Sequence, residues 1–211
     1  MNKIRLPHRY HQSFPKKLFD YLLSFFGLIL FSPLIAIIAA LIKITSSGSP
    51  FFTQKRVGKN GSILTFIKFR TMGKLAERQK GRLLHLNEAD GPVFKIRNDP
   101  RYTKIGKFLA HTGLDELPQL INVLKGEMSL VGPRPLPVSE ARKIPKKYKI
   151  RESIKPGITS SWVIKGSHFL SFEEWMKLDE EYVRNASIYE DVRILFNTVT
   201  TLLQLMSRKI F

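Results

Sequence analysis

The sequence contains no cysteine, which excludes both a disulfide-stapled fold and a metal site built on thiolates. Acidic residues are also scarce, since 17 Asp and Glu stand against 35 Lys and Arg and the formal net charge is +18. The first 80 residues hold only two acids, Asp20 and Glu77. The five histidines lack the spacing of a zinc site. Such a basic excess indicates an anionic partner, namely a nucleic acid, a membrane surface or a phosphorylated substrate.

One long apolar run occupies residues 18–44, and its stretch 22–42 carries no charge. This length passes the test for a membrane helix, which needs about 20 apolar residues. A signal peptide fits poorly, because the run is too long and no small-residue cleavage site precedes the next basic stretch. Asp20, near the start of the run, is expected at the membrane interface or paired with Lys16 or Lys17.

Three placements of this run fit the pattern: a re-entrant hairpin, a single span with a tolerated proline, and a buried core helix. Pro33 removes one backbone hydrogen bond and kinks a helix, while the neighbouring Ser32 hydroxyl can satisfy a freed carbonyl. Positive charge favours the cytoplasmic side of a membrane. Basic residues flank both ends of the run: Lys3, Arg5, Arg9, Lys16 and Lys17 before it, and Lys43, Lys55, Arg56 and Lys59 after it. The pattern therefore favours a re-entrant helix broken at Ser32 and Pro33.

The rest of the chain predicts an α/β (α+β) fold that is mostly helical. Residues 50–72 are predicted as a β-hairpin with an Asn-Gly turn, and Lys68 and Arg70 fall on one face of the return strand. Residues 73–92 are polar and are predicted as a mobile helix or loop. A short helix is predicted from Thr103 towards Leu109, after a turn at Asp99 and Pro100. Periodic apolar positions predict a helix over residues 116–125 and amphipathic helices over residues 172–183 and 191–209.

Two adjacent carboxylates, Asp115 and Glu116, stand at the head of the predicted helix 116–125. One interpretation is helix capping, because acids suit the positive end of the helix dipole. The other is a phosphate site at a helix N-terminus. Carboxylates would repel phosphate there unless a divalent cation intervenes, and Mg²⁺ takes one or two carboxylates together with substrate phosphates. One carboxylate could then attack phosphorus while its neighbour holds the metal.

A Gly-Pro-Arg-Pro turn follows at residues 132–135. The turn is either a rigid connection with a solvated Arg134 or a stiff loop that presents Arg134 to an anion.

The motifs together resemble the bacterial sugar transferases, the monotopic phosphoglycosyl transferases that act on polyprenyl phosphate, in their short catalytic form. The resemblance extends from about Lys16 to about Leu203. It rests on "KKLFD", the Ser32-Pro33 break, "KFRTM", "PVFKIRNDPR", "LDELPQLINVLKGEMSLVGPRP" and "KPGIT".

The resemblance implies a basic segment 1–17, a re-entrant membrane helix 18–44 and a catalytic domain 45–211 on the cytoplasmic face of the bacterial inner membrane.

The resemblance also implies a mechanism. Asp115 would attack a UDP-sugar, release UMP and carry the sugar phosphate until polyprenyl (undecaprenyl) phosphate accepts it. Glu116 would assist by binding Mg²⁺ with Asp115. The phosphates would contact Lys68, Arg70 and Arg134. The charge of +18 would face anionic membrane lipids.

The chain departs from the family pattern at two places. Ala110 and Gly113 replace an Arg and a Ser before the carboxylates, so His111 or Lys107 is expected to supply the missing phosphate contact. Val163 and Ser167 replace a Gln and an Arg after "KPGIT", and that loop is expected to influence sugar or nucleotide choice.

Two other functions compete with the enzyme. A catalytically inactive membrane scaffold of the same fold would explain the altered loop. A nucleic-acid binder would explain the charge alone, but no recognition motif is present and the apolar run would have no purpose, so nucleic acid is not expected as a partner. The pattern leaves the oligomeric state open, with a homo-oligomer among the alternatives.

Overall fold

The computed structural model describes residues 9–164 and 170–210. The fold there is mostly helical with two small two-stranded sheets, consistent with the predicted α+β class. The helices are α1 (Phe14–Thr45), α2 (Ala76–Gln79), α3 (Lys104–Thr112), α4 (Leu120–Leu124), α5 (Val138–Ala141), α6 (Ser161–Ile164), α7 (Phe172–Asn185) and α8 (Ile188–Ile210). The strands are β1 (Phe51–Val57), β2 (Ile63–Phe69), β3 (Ser129–Val131) and β4 (Gly157–Thr159). Short 3₁₀ turns occupy Arg9–Gln12, Lys59–Gly61, Lys80–Leu86, Leu114–Gln119 and Lys146–Ser153.

Helix α1 contains the whole predicted apolar run. Ser13 caps its N-terminus, because the Ser13 hydroxyl accepts a hydrogen bond from the Lys16 amide. The helix is continuous through Ser32 and Pro33. Ser32 Oγ donates to the Ile29 carbonyl at 2.8 Å, and this is the carbonyl that Pro33, four residues later, leaves without an N–H partner. The prediction that Ser32 satisfies a freed carbonyl is thus confirmed.

Most of the apolar surface of α1 is not covered by protein. Only 11% of its most apolar window is buried, and the helix is long and apolar enough to cross a membrane. Phe26 and Leu30 are 61% and 72% exposed. The alternative of a buried core helix is therefore wrong, since such a helix would be enclosed on most sides. The re-entrant arrangement, with its break at Ser32 and Pro33, stays a prediction.

The start of α1 is joined to the rest of the protein by a buried ionic cluster, here called the buried joint: Tyr10, Lys16, Asp20, Tyr182 and Asp191. Lys16 Nζ donates to Asp20 at 2.9 Å and to Asp191 at 2.6 Å. Both tyrosine hydroxyls also donate to Asp191, at 2.8 Å from Tyr10 and 2.6 Å from Tyr182. Asp20 pairs with Lys16 as predicted, and the joint fixes α1 against α7 and α8.

Replacing Lys16 by Met should destabilise the protein strongly, because it leaves Asp20 and Asp191 buried without their cation. Breaking a buried pair from one side costs about 3–5 kcal/mol, which corresponds to a fall in Tm of roughly 6–20 °C for a chain of this size. Thermal unfolding in detergent measures the shift. Lys17→Met is the matched control, since Lys17 is exposed and its loss should change the stability by less than about 0.5 kcal/mol. Equal Tm values for the two variants would contradict this account of the joint.

The sequence predicts one of the two sheets and not the other. Strands β1 and β2 form the predicted antiparallel hairpin, with Asn60 of the turn at φ 53°. Strands β3 and β4 form a parallel pair, with Ser129 opposite Gly157, and the sequence does not predict this pairing. Each of these strands has only three residues, too few to show a period of two.

The predicted helices are confirmed at α3, α7 and α8. The predicted helix over residues 116–125 is α-helical only in its second half, as α4, and its first half is the 3₁₀ turn Leu114–Gln119. Pro118 within that turn lacks an N–H and cannot donate an α-helical bond. The helical alternative for residues 73–92 is confirmed in part by α2 and the turn Lys80–Leu86.

Candidate active site

The two carboxylates lie in the 3₁₀ turn Leu114–Gln119, directly after α3. Gly113 ends α3 with φ +70°, a left-handed conformation that favours glycine. A Cβ at this position would also lie 2.9 Å from Leu202 Cδ2 of α8. Glycine adopts this conformation without the steric cost that a side chain at positive φ would carry, and Leu202 occupies the space that a Cβ would need.

Asp115 is buried, with 4% of its surface exposed. Its Oδ2 accepts a hydrogen bond from Lys68 Nζ at 3.0 Å, and Lys68 lies on β2 as predicted. Among the residues described, no donor binds the other oxygen, Oδ1. Gly113 is the N-cap of this turn, and within the described part of the chain the Asp115 carboxylate bonds to Lys68 and to no backbone N–H, so the N-cap interpretation of Asp115 is wrong. One oxygen is held in place and the other is available to react.

Glu116 forms a two-point ion pair with Arg134. Arg134 Nη1 donates to Glu116 Oε2 at 2.9 Å, and Nη2 donates to the second oxygen of the same carboxylate. This fork geometry is the strong, oriented form of an arginine–carboxylate contact. Arg134 is therefore not simply solvated, and the Gly-Pro-Arg-Pro turn brings its guanidinium to the carboxylate pair.

The Arg134 turn is held rigidly by the "KPGIT" segment. Gly132 N donates to the Thr159 carbonyl and Gly157 N donates to the Pro133 carbonyl, both at 3.0 Å. A Cβ on Gly157 would lie 2.1 Å from Gly132 N, so only glycine permits the approach. Buried Arg151 adds a bond from Nη2 to the Arg134 carbonyl at 2.6 Å. The two sequence motifs thus act together to position one guanidinium.

Two arginines of the hairpin region line the cleft without joining the carboxylate cluster. Arg70 was predicted to contact the phosphates together with Lys68. Its Nε donates to the Ser49 carbonyl at 2.7 Å, and the phosphate contact stays a prediction. Arg56 was counted only as flanking charge. Its guanidinium lies 3.7 Å from the centre of the Phe66 ring and donates to the Pro135 carbonyl at 2.9 Å. Burial, with Arg134 nearby, lowers the pKa of Arg56 to about 9.

The two carboxyl groups have pKa values displaced in opposite directions. Burial raises the pKa of Asp115, and Lys68 only partly offsets this effect. Burial acts in the same sense on Glu116, but the Arg134 guanidinium, together with Lys68 and Arg56, outweighs it and lowers the pKa of Glu116. Paired carboxyl groups whose environments separate their pKa values are typical of sites with divided chemical tasks.

The carboxylate pair faces a cleft of about 770 Å³. Such a volume is within the range of small-molecule sites. Its lining includes ten cationic side chains: Arg56, Lys68, Arg70, Lys74, Lys80, Lys95, Arg97, Arg101, Arg134 and Arg151. This charge favours an anionic ligand such as a diphosphate.

The other residues that depart from the family pattern, and the two expected to replace the missing phosphate contact, lie in different parts of the structure. Ala110 and His111 line the cleft, and His111 Nε2 lies 3.0 Å from the Arg97 carbonyl. Lys107 belongs to α3 but is not part of the cleft lining. Val163 of α6 also lines the cleft and packs against the core cluster around Trp175. Ser167 lies outside the described residues.

The carboxylate pair fits a magnesium ion by its donor chemistry. Within residues 9–164 and 170–210, no three His, Asp or Glu side chains cluster to form a protein-only metal site. Mg²⁺ does not need such a cage, because one or two carboxylates suffice when phosphate oxygens and water complete the shell. A carboxylate offers about four lone-pair positions, and Arg134 leaves some of those on Glu116 available.

Comparison with known proteins agrees with these motifs. Galactosyl transferase CpsE of Streptococcus agalactiae is 43% identical over 198 residues, covering 93% of this chain and 44% of that relative. Exopolysaccharide production protein ExoY of Rhizobium meliloti is 37% identical, covering 87% of this chain and 83% of its own length. The UDP-glucose:undecaprenyl-phosphate glucose-1-phosphate transferase of Escherichia coli is 38% identical. That match covers 87% of this chain and 39% of the relative's length.

The chain therefore spans less than half of two of these relatives and most of the third. The model of the family described as "Bacterial sugar transferase" matches residues 11–205, which include α1, the hairpin, the carboxylate pair and the Arg134 turn. By the extent of this match, the chain belongs to the bacterial sugar transferase family.

Proposed function

We propose that this protein transfers a sugar-1-phosphate from a UDP-sugar to polyprenyl phosphate and releases UMP. The observation that carries the proposal is Asp115, a buried carboxylate with Oδ2 held by Lys68 and Oδ1 open, beside a basic cleft. The printed names of relatives support the substrate class. One is the Escherichia coli enzyme, and another is the undecaprenyl-phosphate galactose phosphotransferase of Salmonella typhimurium, 37% identical over 200 residues.

The reaction proceeds in two displacements at phosphorus. Asp115 Oδ1 attacks the phosphorus that carries the sugar, and the bond from this phosphorus to the bridging oxygen breaks, so UMP leaves with that oxygen. The sugar phosphate is then an acyl phosphate on Asp115. An oxygen of polyprenyl phosphate attacks the same phosphorus, the bond to Asp115 breaks, and the carboxylate is restored as polyprenyl diphosphate sugar forms.

The neighbouring side chains prepare this chemistry. Lys68 orients the nucleophile and offsets charge on the transferring phosphoryl group, while Arg134 supplies a second cation at the other carboxylate. Arg70 and Arg56 add positive potential at the cleft wall. Glu116, with Asp115, would hold Mg²⁺, which when bound neutralises negative charge on the diphosphate.

The proposal places the protein at the cytoplasmic face of the bacterial inner membrane. The exposed apolar surface of α1 and the family indicate membrane association. The net charge of +18 suits anionic lipids at the cytoplasmic leaflet. Both substrates would meet there, since a UDP-sugar is soluble and the acceptor is a lipid.

The test is the identity of the released nucleotide. Detergent-solubilised protein is incubated with Mg²⁺, polyprenyl phosphate and a panel of UDP-sugars. UMP from one donor supports the proposal and identifies the sugar. Release of UDP would mean ordinary glycosyl transfer and would overturn the mechanism. No nucleotide from any donor would favour the inactive scaffold.

The pH dependence of the rate should reveal the Lys68–Asp115 pair. Asp115 attacks only as a carboxylate, so kcat/KM falls as the pH falls through its pKa, which is raised above the ordinary aspartate value. Lys68 opposes that rise, so Lys68→Met should move this acid limb to higher pH. Lys55→Met is the control, because Lys55 lies on the same hairpin but pairs with Thr65 at 2.8 Å. Superimposable limbs for wild type and Lys68→Met would contradict the assignment.

A further inference from the structure

A second cavity, an open surface depression of about 650 Å³ with exposed lining residues, lies beside the C-terminal end of α1. Its lining is Ser47, Gly73, Lys74, Leu75, Arg78 and Gln79. Ser47 comes just after the last residue of α1, Thr45. Gly73 and Lys74 line both this cavity and the cleft that contains Asp115. The second cavity therefore adjoins the catalytic cleft at the place where the apolar helix ends.

The chemistry of the second cavity combines cations with apolar surface. Lys74 and Arg78 are exposed, and Leu75 beside them is 55% exposed. Ile44, in the last turn of α1, is 81% exposed. One acid of this segment, Glu77, lines the catalytic cleft and not the second cavity. Cations next to apolar side chains at the end of a membrane helix suit a ligand with an anionic head and an apolar tail.

The segment that forms this cavity is held in place by Arg101. The Gly73 amide donates to the Arg101 carbonyl at 3.0 Å, and Arg101 Nη1 donates to the Ala76 carbonyl at 3.1 Å. Arg101 is itself fixed by Asp99, which accepts from its Nε at 2.8 Å. The cavity wall is thus a positioned surface, tied to the loop that precedes α3.

We propose that this cavity is the acceptor portal, through which the phosphate of the lipid acceptor passes from the membrane surface to Asp115. Arg78 meets the phosphate at the end of α1, and Lys74 receives it at the junction with the catalytic cleft. Leu75 contacts the first part of the apolar chain. The inference rests on the proposed function and assigns the acceptor and the donor to separate approaches to one site.

The test separates the two halves of the reaction. Exchange of labelled UMP into the UDP-sugar, without acceptor, reports the donor half alone. Arg78 lines the second cavity and not the catalytic cleft, so Arg78→Glu should leave this exchange within about twofold of wild type. In neutral detergent the same variant should raise the KM for polyprenyl phosphate at least about tenfold, because it places a carboxylate against the phosphate.

Two further variants make the result specific. Lys146→Glu reverses the charge of an exposed lysine that lines neither cavity, and it should leave the acceptor KM unchanged. Arg78→Lys keeps the charge and should retain a KM near that of wild type. An unchanged acceptor KM in Arg78→Glu, or an equal rise in the KM for the UDP-sugar, would overturn the portal alone. Wild-type protein that neither exchanges UMP nor transfers sugar would overturn the proposed function and the portal with it.

Discussion

Asp115→Asn should abolish UMP release, lowering kcat by about 10⁴-fold or more, as loss of a nucleophile does in other covalent enzymes. The amide has nearly the same shape as the carboxylate but cannot attack phosphorus. The fold should survive the change. Since burial raises the pKa of Asp115, the ionised form is less favourable in the folded protein than in the unfolded chain. A neutral amide removes that cost, so the Tm should stay the same or rise.

Nucleotide release by purified variants, together with thermal unfolding, measures both effects. Glu181→Gln is the control, because it makes the same carboxylate-to-amide change at an exposed position of α7. It should retain wild-type kcat. A rate for Asp115→Asn within about tenfold of wild type would show that another group attacks the donor.

Arg134→Gln should lower kcat by about 10²–10³-fold, the cost of losing one preorganised electrostatic contact to a transition state. The substitution removes both bonds to Glu116. The pKa of Glu116, which Arg134 keeps low, should then rise. The turn itself should persist, since its anchors are backbone bonds between residues 132–133 and 157–159.

Arg134→Lys distinguishes charge from geometry at this position. Lysine restores the positive charge but not the planar fork, so activity should recover only in part. Steady-state kcat and KM for all three proteins, with Tm as a check on folding, provide the comparison. Full activity in Arg134→Gln would mean that Arg134 serves only to neutralise Glu116.

The sequence predicts best where the signal is local. The apolar run that becomes α1, the Asn-Gly turn of the hairpin and the apolar period of α7 and α8 all depend on neighbouring residues. The roles predicted for Asp115, Lys68 and Arg134 in catalysis and phosphate binding came from the resemblance to a family and not from the apolar periodicity of the sequence. The structure brings these three to one cleft. It leaves Arg70 at the wall of that cleft, bound to a backbone carbonyl.

What could not be predicted depends on contacts between distant residues. Lys68 and Asp115 are 47 positions apart, and Lys16 and Asp191 are 175 apart. No local pattern joins such pairs, because their proximity follows from the packing of whole elements. The same holds for Arg56 above Phe66 and for the parallel pair of β3 and β4. The glycines at 113 and 157 became interpretable only once Leu202 and Gly132 were placed against them.

The central claim is a covalent sugar phosphate on Asp115, and mass spectrometry of the protein tests it most directly. The solubilised protein is incubated with Mg²⁺ and the UDP-sugar identified by UMP release, without polyprenyl phosphate, and is then quenched and digested. We expect an added mass equal to one sugar phosphate on the peptide containing Asp115, lost when acceptor is supplied and absent in Asp115→Asn. An active enzyme that shows no such adduct, or carries it on another residue, would contradict the account.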